Sequence, residues 1–423
     1  MKPVFALVDC NNFYTSCERV FQPQFKNKPV LVLSSNDGCV IARSQETKAL
    51  GIDMGIPVFK VRHLIEKHRI QVFSSNFSLY GDMSARVMTT LETLAPNVEI
   101  YSVDEAFLNL TGVDNCMSLV DFGQQVRRRV YRWVGIPTCV GIAPSKTLAK
   151  LANAAAKKHP DLKGVADLME ESDRRYWLSK MPVGDVWGVG RRLTQKLTGR
   201  DIKTALALAE SDPKSLRKAF SVTLERTIRE LNGEPCFSFE EIPAPQKQIL
   251  CSRSFGERVT EYRHMKEAVC SYVVRACEKL RREDRDAKRI TVFMRTSPYN
   301  GFEPFYGNSA TGVFRVPGRD TRDFIAMAVR LLEGIWRDGY RYMKAGVVLF
   351  DFYESGHYQP GLFDRQFERP HSKELMQVID RINHSGKGAV WFAGQGTHQA
   401  WRGRKALSSQ HYTTNWEDIL QVT

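Results

Sequence analysis

The stretch Tyr101-Ser102-Val103-Asp104-Glu105-Ala106-Phe107 carries two adjacent carboxylates between residues that alternate like a β-strand. A third carboxylate, Asp9, closes the run Val4-Phe5-Ala6-Leu7-Val8, which has the composition of a buried strand. Because these carboxylates stand at the ends of predicted strands, they can meet across one sheet. The pattern therefore predicts a site for a hard cation.

Carboxylate oxygens suit Mg²⁺, which shares its coordination with substrate phosphates in polymerase sites. Two such ions can activate an attacking oxygen and stabilise a leaving one. A lone Asp-Glu pair at the end of a strand is usually solvated or ion-paired, so the interpretation depends on the rest of the chain.

The composition is that of a basic protein with several domains. At 423 residues the chain predicts about three domains of roughly 150 residues each. The net charge of +14 indicates a polyanionic partner, nucleic acid first of all, although the chain from Tyr353 onward is nearly neutral. No apolar run approaches the ~20 residues of a membrane helix, and the first residues lack the apolar segment of a signal peptide. We expect a cytoplasmic protein.

Nine cysteines are scattered along the chain without any C-x-x-C pair. This spacing argues against a zinc site and against a disulfide framework. The cysteines are predicted to be reduced thiols.

The first 166 residues predict a split β-α-β pattern with Asp9 and Asp104 on neighbouring strands. Apolar residues recur at spacings of three and four from Leu79 to Leu94, as in an amphipathic helix that leads into the acidic strand. Helices follow around 119–134 and from Lys146 to about Lys157, with a strand at 138–143 between them.

A small, partly helical module interrupts this pattern up to about Ser75. Phe13 and Tyr14 lie just beyond Asp9, where aromatic rings can line a sugar or base pocket or can belong to the core. A short helix ending at Gly51 carries Gln45 and Lys48, and its charges are either phosphate ligands or ordinary solvated residues.

The stretch around Gly188 and Gly190 predicts a tight turn before a helix that begins with Arg191 and Arg192. Backbone N–H groups at such a helix start can bind a phosphate, and the arginines add charge. The pattern resembles a helix-hairpin-helix module that binds the DNA backbone, although a lone G-x-G turn is weak support.

A Pro-containing segment around 233–246 predicts a linker. Beyond it the order β-α-β-β-α-β is repeated between Ile249 and Phe352, without an acidic pair at the strand ends. This second copy carries basic residues instead, which indicate either binding, the simpler interpretation, or a merely solvated helix face: Arg275, Lys279, Arg281, Arg282, Arg285, Lys288 and Arg289. The remaining tail is rich in Gly and aromatic residues, which is typical of a surface for protein partners.

Taken together, these features resemble the Y-family translesion DNA polymerases. The run Cys251-Ser252-Arg253-Ser254-Phe255-Gly256-Glu257-Arg258 and the aromatic tail are most similar to the UmuC type, the catalytic subunit of bacterial DNA polymerase V. The resemblance covers nearly the whole chain. It implies an α+β, multidomain right-hand polymerase with a palm at 1–12 and 77–166, fingers at 13–76, a helix-hairpin-helix thumb at 167–235, a linker at 236–246, a little finger at 247–352 and a partner-binding tail at 353–423.

The resemblance also implies roles for single residues. Asp9, Asp104 and Glu105, with the Cys10 carbonyl, would hold two Mg²⁺ ions. Tyr14 falls at the steric gate that excludes ribose, beside Phe13, and Lys48 and Lys157 fall at the triphosphate. Gln45 stands where many relatives have a triphosphate-binding Tyr, so the contacts there differ. DNA would be held at Gly188, Gly190, Arg191, Arg192 and Arg253.

The implied function is error-prone insertion of nucleotides opposite damaged template in the SOS response. A nucleotidyl cyclase is the main alternative, because cyclases place an acidic pair on the same palm topology, but it needs neither a DNA-binding hairpin nor a basic second domain. A DNA-binding checkpoint factor without activity is the other alternative, and the intact set of three carboxylates argues against it.

The implied partners are primer-template DNA, deoxynucleoside triphosphates, a dimer of processed UmuD, and RecA. The segment Gln359-Pro360-Gly361-Leu362-Phe363 matches the Q-x-x-L-F pattern by which bacterial polymerases dock on the sliding clamp. In this interpretation Leu362 and Phe363 fill an apolar pocket and the Gln359 amide bonds at its rim.

Overall fold

A computed structural model describes residues 2–240, 245–358, 369–385, 388–397, 399, 401, 403 and 405–419 of the chain. These residues fold into two compact units. The first comprises the described residues within 1–34, 38–243 and 407–423, and the second comprises those within 35–37 and 244–406. A helix long and apolar enough to span a bilayer is not found in the described ranges.

The first unit begins with a sheet-forming region interrupted by a small module. Its elements in chain order are β1 (Phe5–Cys10), α1 (Phe13–Phe21), β2 (Val30–Leu33), β3 (Val40–Arg43), α2 (Gln45–Ala49), α3 (Val58–Lys67), β4 (Gln71–Ser74), α4 (Phe77–Glu92), β5 (Val98–Ile100), β6 (Glu105–Asn109), α5 (Leu119–Val134), β7 (Thr138–Ala143), α6 (Lys146–Lys158) and β8 (Val165–Asp167).

A five-stranded sheet in the order β5-β6-β1-β7-β8 forms the centre of this unit. Strand β1 lies between β6 and β7 and is antiparallel to both. Every residue of β1 is buried, which explains why the strand has a continuous apolar sequence that ends at Asp9 and Cys10. Gly141 lets α6 lie directly against β7, because a Cβ atom there would overlap the backbone of Asn153 and Ala149.

A second sheet of this unit has the order β3-β2-β4, so that β4 is an edge strand. It has a small apolar core of its own, formed with α3: Leu31, Leu33, Val40, Ile52, Val61 and Ile70.

Short helices complete the first unit: α7 (Glu171–Lys180), α8 (Arg191–Thr198), α9 (Ala205–Ala209), α10 (Pro213–Ala219) and α11 (Val222–Leu231). Gly188 has φ +90°, a conformation that favours glycine, and Gly190 is the N-cap of α8. The predicted glycine turn before a helix is confirmed.

The second unit has the predicted β-α-β-β-α-β order followed by a tail helix. Its elements are β9 (Gln248–Val259), α12 (Tyr262–Arg282), β10 (Arg285–Arg295), β11 (Gly307–Gly318), α13 (Thr321–Ile335), β12 (Tyr342–Glu354) and α14 (Ser372–His384). The sheet order is β11-β10-β12-β9. The predicted α+β class is confirmed, but the two sheets arrange their strands differently although the chain order is the same.

The tail is not one structural segment. Helix α14 belongs to the second unit, where Asp380 accepts two hydrogen bonds of 2.7 Å from the guanidinium of Arg281. Residues from Leu407 onward belong to the first unit. The sequence gives no local sign of this division, because it depends on contacts with residues far away in the chain.

Candidate active site

The three predicted carboxylates lie where β1 ends and β6 begins. Asp9 stands directly opposite Glu105 in the β1–β6 register, and the Cys10 N–H donates to the Asp104 carbonyl at 2.8 Å. Asp104 itself lies one residue before β6 and not on a strand as predicted. The antiparallel pairing of β1 with β6 is what brings the end of one strand to the start of the other.

Ser102 shapes the turn that carries Asp104. Its hydroxyl donates to the Asp104 carboxylate at 2.6 Å and accepts from the Glu105 N–H at 3.0 Å. A serine that binds backbone groups two or three residues ahead stabilises a turn of this kind. Ser102 therefore fixes the direction of Asp104.

Two lysines of α6 neutralise the other two carboxylates. Lys157 Nζ lies 2.5 Å from Asp9 Oδ2, and Lys150 Nζ lies 2.8 Å from Glu105 Oε2. Lys150 was not predicted. Its signal in the sequence is its spacing, because residues seven apart are about two helical turns apart and share a face.

The carboxylates perturb one another. Burial raises the pKa of Asp9 to about 7; Lys157 opposes this shift, and the neighbouring Glu105 adds to it. Burial also acts to raise the pKa of Glu105, but the hydrogen bond and charge of Lys150 hold it below the ordinary value. Of the two carboxylates, Asp9 is therefore the easier to protonate and Glu105 the easier to ionise.

The three carboxylates are ligands that suit a hard cation, but their side chains do not converge on one point. Among the described residues, no three carboxylate, His or Cys side chains converge as a metal site. Asp9 and Glu105 interact directly, whereas Asp104 is bonded to Ser102. The carboxylate oxygens are ligands of the type that Mg²⁺ prefers, and a bound cation would favour the ionised form of Asp9, which burial disfavours.

Two of the predicted triphosphate residues, Lys157 and Lys48, lie beside this cluster. Lys48 donates to the Asn12 side-chain oxygen at 2.6 Å. Burial lowers the pKa of Lys48, and the positive charges of Arg43 and Lys157 lower it further, which places these three cations close together. Gln45 is the first residue of α2.

The two predicted aromatic residues have different environments. Phe13 is 4% exposed and belongs to the apolar core. Tyr14 is half-buried, and its ring stacks on that of Tyr80 with centroids 4.4 Å apart and planes 15° apart. Burial raises the pKa of the Tyr14 hydroxyl, and the nearby charge of Asp104 raises it further. Of the pair, only Tyr14 has a partly exposed side chain.

The predicted DNA-binding residues lie outside this cluster. Arg191 and Arg192 are exposed at the start of α8, and Arg253 is exposed on β9. Several basic residues of the second unit are paired within it, Arg281 with Asp380 and Arg289 with Asp351. The prediction that this whole basic group serves binding is therefore wrong for Arg281, which is a structural residue. Gln359, Leu362 and Phe363 of the clamp motif lie outside the described residues.

Comparison with known families agrees with this architecture. The model of the impB/mucB/samB family matches residues 8–154, and the model of its C-terminal domain matches residues 246–362. A domain of unknown function (DUF4113) matches residues 373–422.

Individual relatives match over almost the full length. Protein ImpB of Salmonella typhimurium is 54% identical and covers 98% of this chain and 99% of its own. Protein UmuC of Salmonella typhimurium (strain LT2) is 52% identical and covers 99% of this chain and 100% of its own. Among solved structures, a Y-family DNA polymerase chimera of Dbh and Dpo4 matches with a TM-score of 0.67 at 20% identity, over 83% of this chain and 100% of the chimera. The chain belongs to the impB/mucB/samB family, which includes UmuC, and it has the fold of a Y-family DNA polymerase.

Proposed function

We propose that this error-prone translesion DNA polymerase of the SOS response uses Asp9, Asp104 and Glu105 to catalyse the addition of deoxynucleotides to a primer 3′ end by two-metal phosphoryl transfer. One observation supports the mechanism above all: Asp9 faces Glu105 across β1 and β6, with Lys157 and Lys48 beside them. Phosphoryl transfer asks a protein mainly to position the reactants and to neutralise charge. A cluster of carboxylates next to cations meets both needs.

The cofactor is a divalent cation, and we infer two Mg²⁺ ions. Asp9, Asp104 and Glu105 would hold them, with the Cys10 carbonyl as a further ligand. When bound, such ions lower the barrier by activating the attacking oxygen and stabilising the leaving one. The protein contributes by fixing Asp104 through Ser102 and by holding Glu105 ionised through Lys150.

The triphosphate is bound by Lys48, Lys157 and Gln45 in this proposal. Lys157 already forms an ion pair with the carboxylate of Asp9, so it can exchange that partner for a phosphate oxygen when a nucleotide enters. Tyr14 is the steric gate, because its half-buried ring stands beside Asp104. The small module with its separate core leaves the nascent base pair loosely enclosed, which reduces the discrimination between substrates.

Primer-template DNA is bound through its backbone. Gly188 and Gly190 form the turn that opens α8, and Arg191 and Arg192 are exposed there. Arg253 adds an exposed charge on β9. Contacts with the DNA backbone do not depend on the base sequence, as a polymerase requires.

A primer-extension assay tests this function. The purified chain, with and without Mg²⁺, is given an intact template and one with an abasic site. Elongation of the primer opposite the lesion supports the proposal. A cyclic product from the triphosphate alone would indicate the cyclase chemistry instead, and binding without either product would indicate a factor without activity.

The further partners are a processed UmuD dimer, RecA and the sliding clamp, in the bacterial cytoplasm. Docking on a ring around DNA raises the effective concentration of the polymerase at its template. Replacing Leu362 and Phe363 by Ala should leave single-nucleotide insertion intact and remove stimulation by the clamp. Equal stimulation of the double variant would show that the motif is not the docking peptide.

A further inference from the structure

A segment of the tail, residues 407–412 within the described range 405–419, belongs to the first unit and has no role in the mechanism above. It begins at the edge strand β4. The Ser74 N–H donates to the Leu407 carbonyl at 2.9 Å, and the Leu407 N–H donates to the Ser74 hydroxyl at 3.1 Å. Ser408 forms a parallel bridge with Ser74. The segment thus joins an edge whose backbone groups are open to pairing.

Asn76 ties the segment to the start of α4. Its side-chain N–H₂ donates to the Ser409 hydroxyl at 3.0 Å and to the Gln410 carbonyl at 3.1 Å. Its side-chain oxygen accepts from the Leu79 N–H at 3.2 Å and so caps α4. One buried amide therefore fixes both the helix and the segment.

Ser409 reaches a carboxylate in the interior. Glu18 is fully buried, and one of its oxygens accepts from the Tyr80 hydroxyl at 2.6 Å and from the Ser409 hydroxyl at 3.1 Å. A buried carboxylate is costly unless it is hydrogen-bonded. Ser409 of the segment supplies one of these two bonds. The segment therefore contacts the same carboxylate to which the Tyr80 hydroxyl is bonded.

Tyr80 connects this anchor to the proposed gate. Its ring is 2% exposed and stacks on the ring of Tyr14. The contacts therefore run without a gap from Ser409 through Glu18 and Tyr80 to Tyr14. A second contact reinforces them, because the Tyr412 ring stacks on Phe21 at 4.8 Å and 5°, and Phe21 ends the helix α1 in which Tyr14 lies.

We propose that residues 407–412 are a positioning element for sugar selection. By bonding to Glu18 they hold Tyr80, on whose ring Tyr14 stacks, so that a 2′-hydroxyl has no room beside the Tyr14 ring. The inference rests on the proposed role of Tyr14 as the gate. A gate works only while its ring stays within a fraction of an ångström of its place, and a displacement of ~1 Å is enough to change rates strongly. This assigns a role to part of the region that matches a domain of unknown function.

The test measures the ratio of kcat/KM for a deoxynucleotide to that for the matching ribonucleotide in single-nucleotide insertion by the full chain. Tyr14→Ala should lower the ratio most. Ser409→Ala and Tyr412→Ala should each lower it about three- to tenfold, roughly the worth of one hydrogen bond or ring contact. The KM for the deoxynucleotide should rise while kcat changes little.

Matched variants separate positioning from a general effect on the fold. Ser408→Ala removes a neighbouring exposed hydroxyl, Trp416→Ala removes an exposed ring that is 89% accessible, and Tyr412→Phe keeps the stacked ring. All three should retain the wild-type ratio within about twofold, a range typical of surface changes. Melting curves show which variants are folded at the assay temperature.

The outcomes distinguish this inference from the function on which it rests. If Tyr14→Ala lowers the ratio while folded Ser409→Ala and Tyr412→Ala do not, the segment is only structural and the inference is overturned. If Tyr14→Ala leaves the ratio unchanged, the gate assignment fails and the inference fails with it. Ser409→Ala removes a single oxygen atom, so the test remains decisive even if Tyr412→Ala does not fold.

Discussion

The five-stranded sheet of the first unit and the four-stranded sheet of the second share the β-α-β-β-α-β chain order, yet among the described residues only the first sets two carboxylates directly opposite each other on neighbouring strands. In the first sheet, β1 lies next to β6, the second strand of the hairpin. In the second sheet, the opening strand β9 lies at an edge, and β12 separates it from the hairpin of β10 and β11. The position of the opening strand, rather than the order of elements, decides whether a site can form.

The adjacency of β1 and β6 has a chemical result. It sets Asp9 opposite Glu105 and draws two lysines of α6 toward them. No equivalent pairing brings the end of β9 to the β10–β11 hairpin, and the charged residues of that sheet form pairs such as Arg289 with Asp351. The first sheet brings two carboxylates and two lysines together, whereas Arg289 of the second sheet is paired with an acid of its own sheet.

The strongest test of this contrast removes a carboxylate from each sheet. Glu105→Gln, or Asp104→Asn, should reduce nucleotide insertion by at least about 1,000-fold, or ~4 kcal/mol of transition-state stabilisation, because a metal ligand acts on the chemical step. DNA affinity should remain. Single-turnover insertion and a binding titration measure the two effects.

Glu354→Gln is the matched control, since Glu354 is an exposed acid at the end of β12. It should retain wild-type insertion. Near-normal activity of Glu105→Gln would contradict the metal assignment. If Glu354→Gln loses as much insertion activity as Glu105→Gln, the two sheets do not differ in their importance for the reaction.

A glycine in each sheet gives the next test. A Cβ at Gly141 would overlap the backbone of α6 and approach the Ala152 carbonyl carbon to 2.8 Å. A Cβ at Gly346 would overlap the Ser252 Cβ, approach the ring of Phe293 to 2.7 Å and approach the Cys251 carbonyl oxygen to 2.9 Å. All three overlaps at Gly141 are with backbone, whereas only the longest of those at Gly346 is, so Gly141→Ala should cost about 3 kcal/mol of unfolding free energy or more, and Gly346→Ala about 2 kcal/mol.

Thermal unfolding compares the two glycine variants. Gly141→Ala should also slow insertion, because α6 carries both lysines that contact the carboxylates. A stable and fully active Gly141→Ala would mean that α6 does not position the site.

Local patterns predicted the carboxylates, the glycine turn and the repeated element order, whereas Lys157 was implied only by the family resemblance. They predicted that the strand of Asp9 lies beside the acidic strand, but not the different strand order of the second sheet, because an identical succession of strands and helices is compatible with both arrangements. They also missed the pair of Arg281 and Asp380 and the contact of Ser409 with Glu18, since partners so far apart leave no periodicity in the chain. Lys150 could have been predicted from its spacing to Lys157. Residues seven apart share one face of a helix, and this face of α6 contacts the carboxylates.

The pair of Arg281 and Asp380 gives a smaller effect, confined to the second unit. Arg281 is largely buried, with its side chain 8% exposed, and it also donates to the Thr321 hydroxyl at 2.8 Å. Asp380→Ala should lower the unfolding free energy of this unit by about 2 kcal/mol, because a guanidinium loses its charged partner. Hydrogen exchange should speed up in α12 and α14, with insertion of a single nucleotide unchanged.

Glu283→Ala removes an exposed acid just after α12 and should leave that exchange as it is. If hydrogen exchange in Asp380→Ala is as slow as in the wild type, the tail helix α14 contributes little to the stability of the sheet beside it.

The smallest expected effect concerns the salt dependence of DNA binding. Binding that releases counterions from duplex DNA weakens with a log–log slope of about −0.9 for each phosphate neutralised. Arg191 and Arg192 are exposed at the start of α8, so replacing both by Ala should flatten the slope by up to about two units and leave the chemical step intact at saturating DNA. Arg128 and Arg132 are exposed on α5 and offer a control that removes the same formal charge elsewhere in the first unit. If Arg128→Ala with Arg132→Ala flattens the slope equally, net charge rather than the glycine turn governs binding. If neither pair changes it, the backbone contacts lie on the second sheet, and Arg253→Ala should then be the variant that moves the slope.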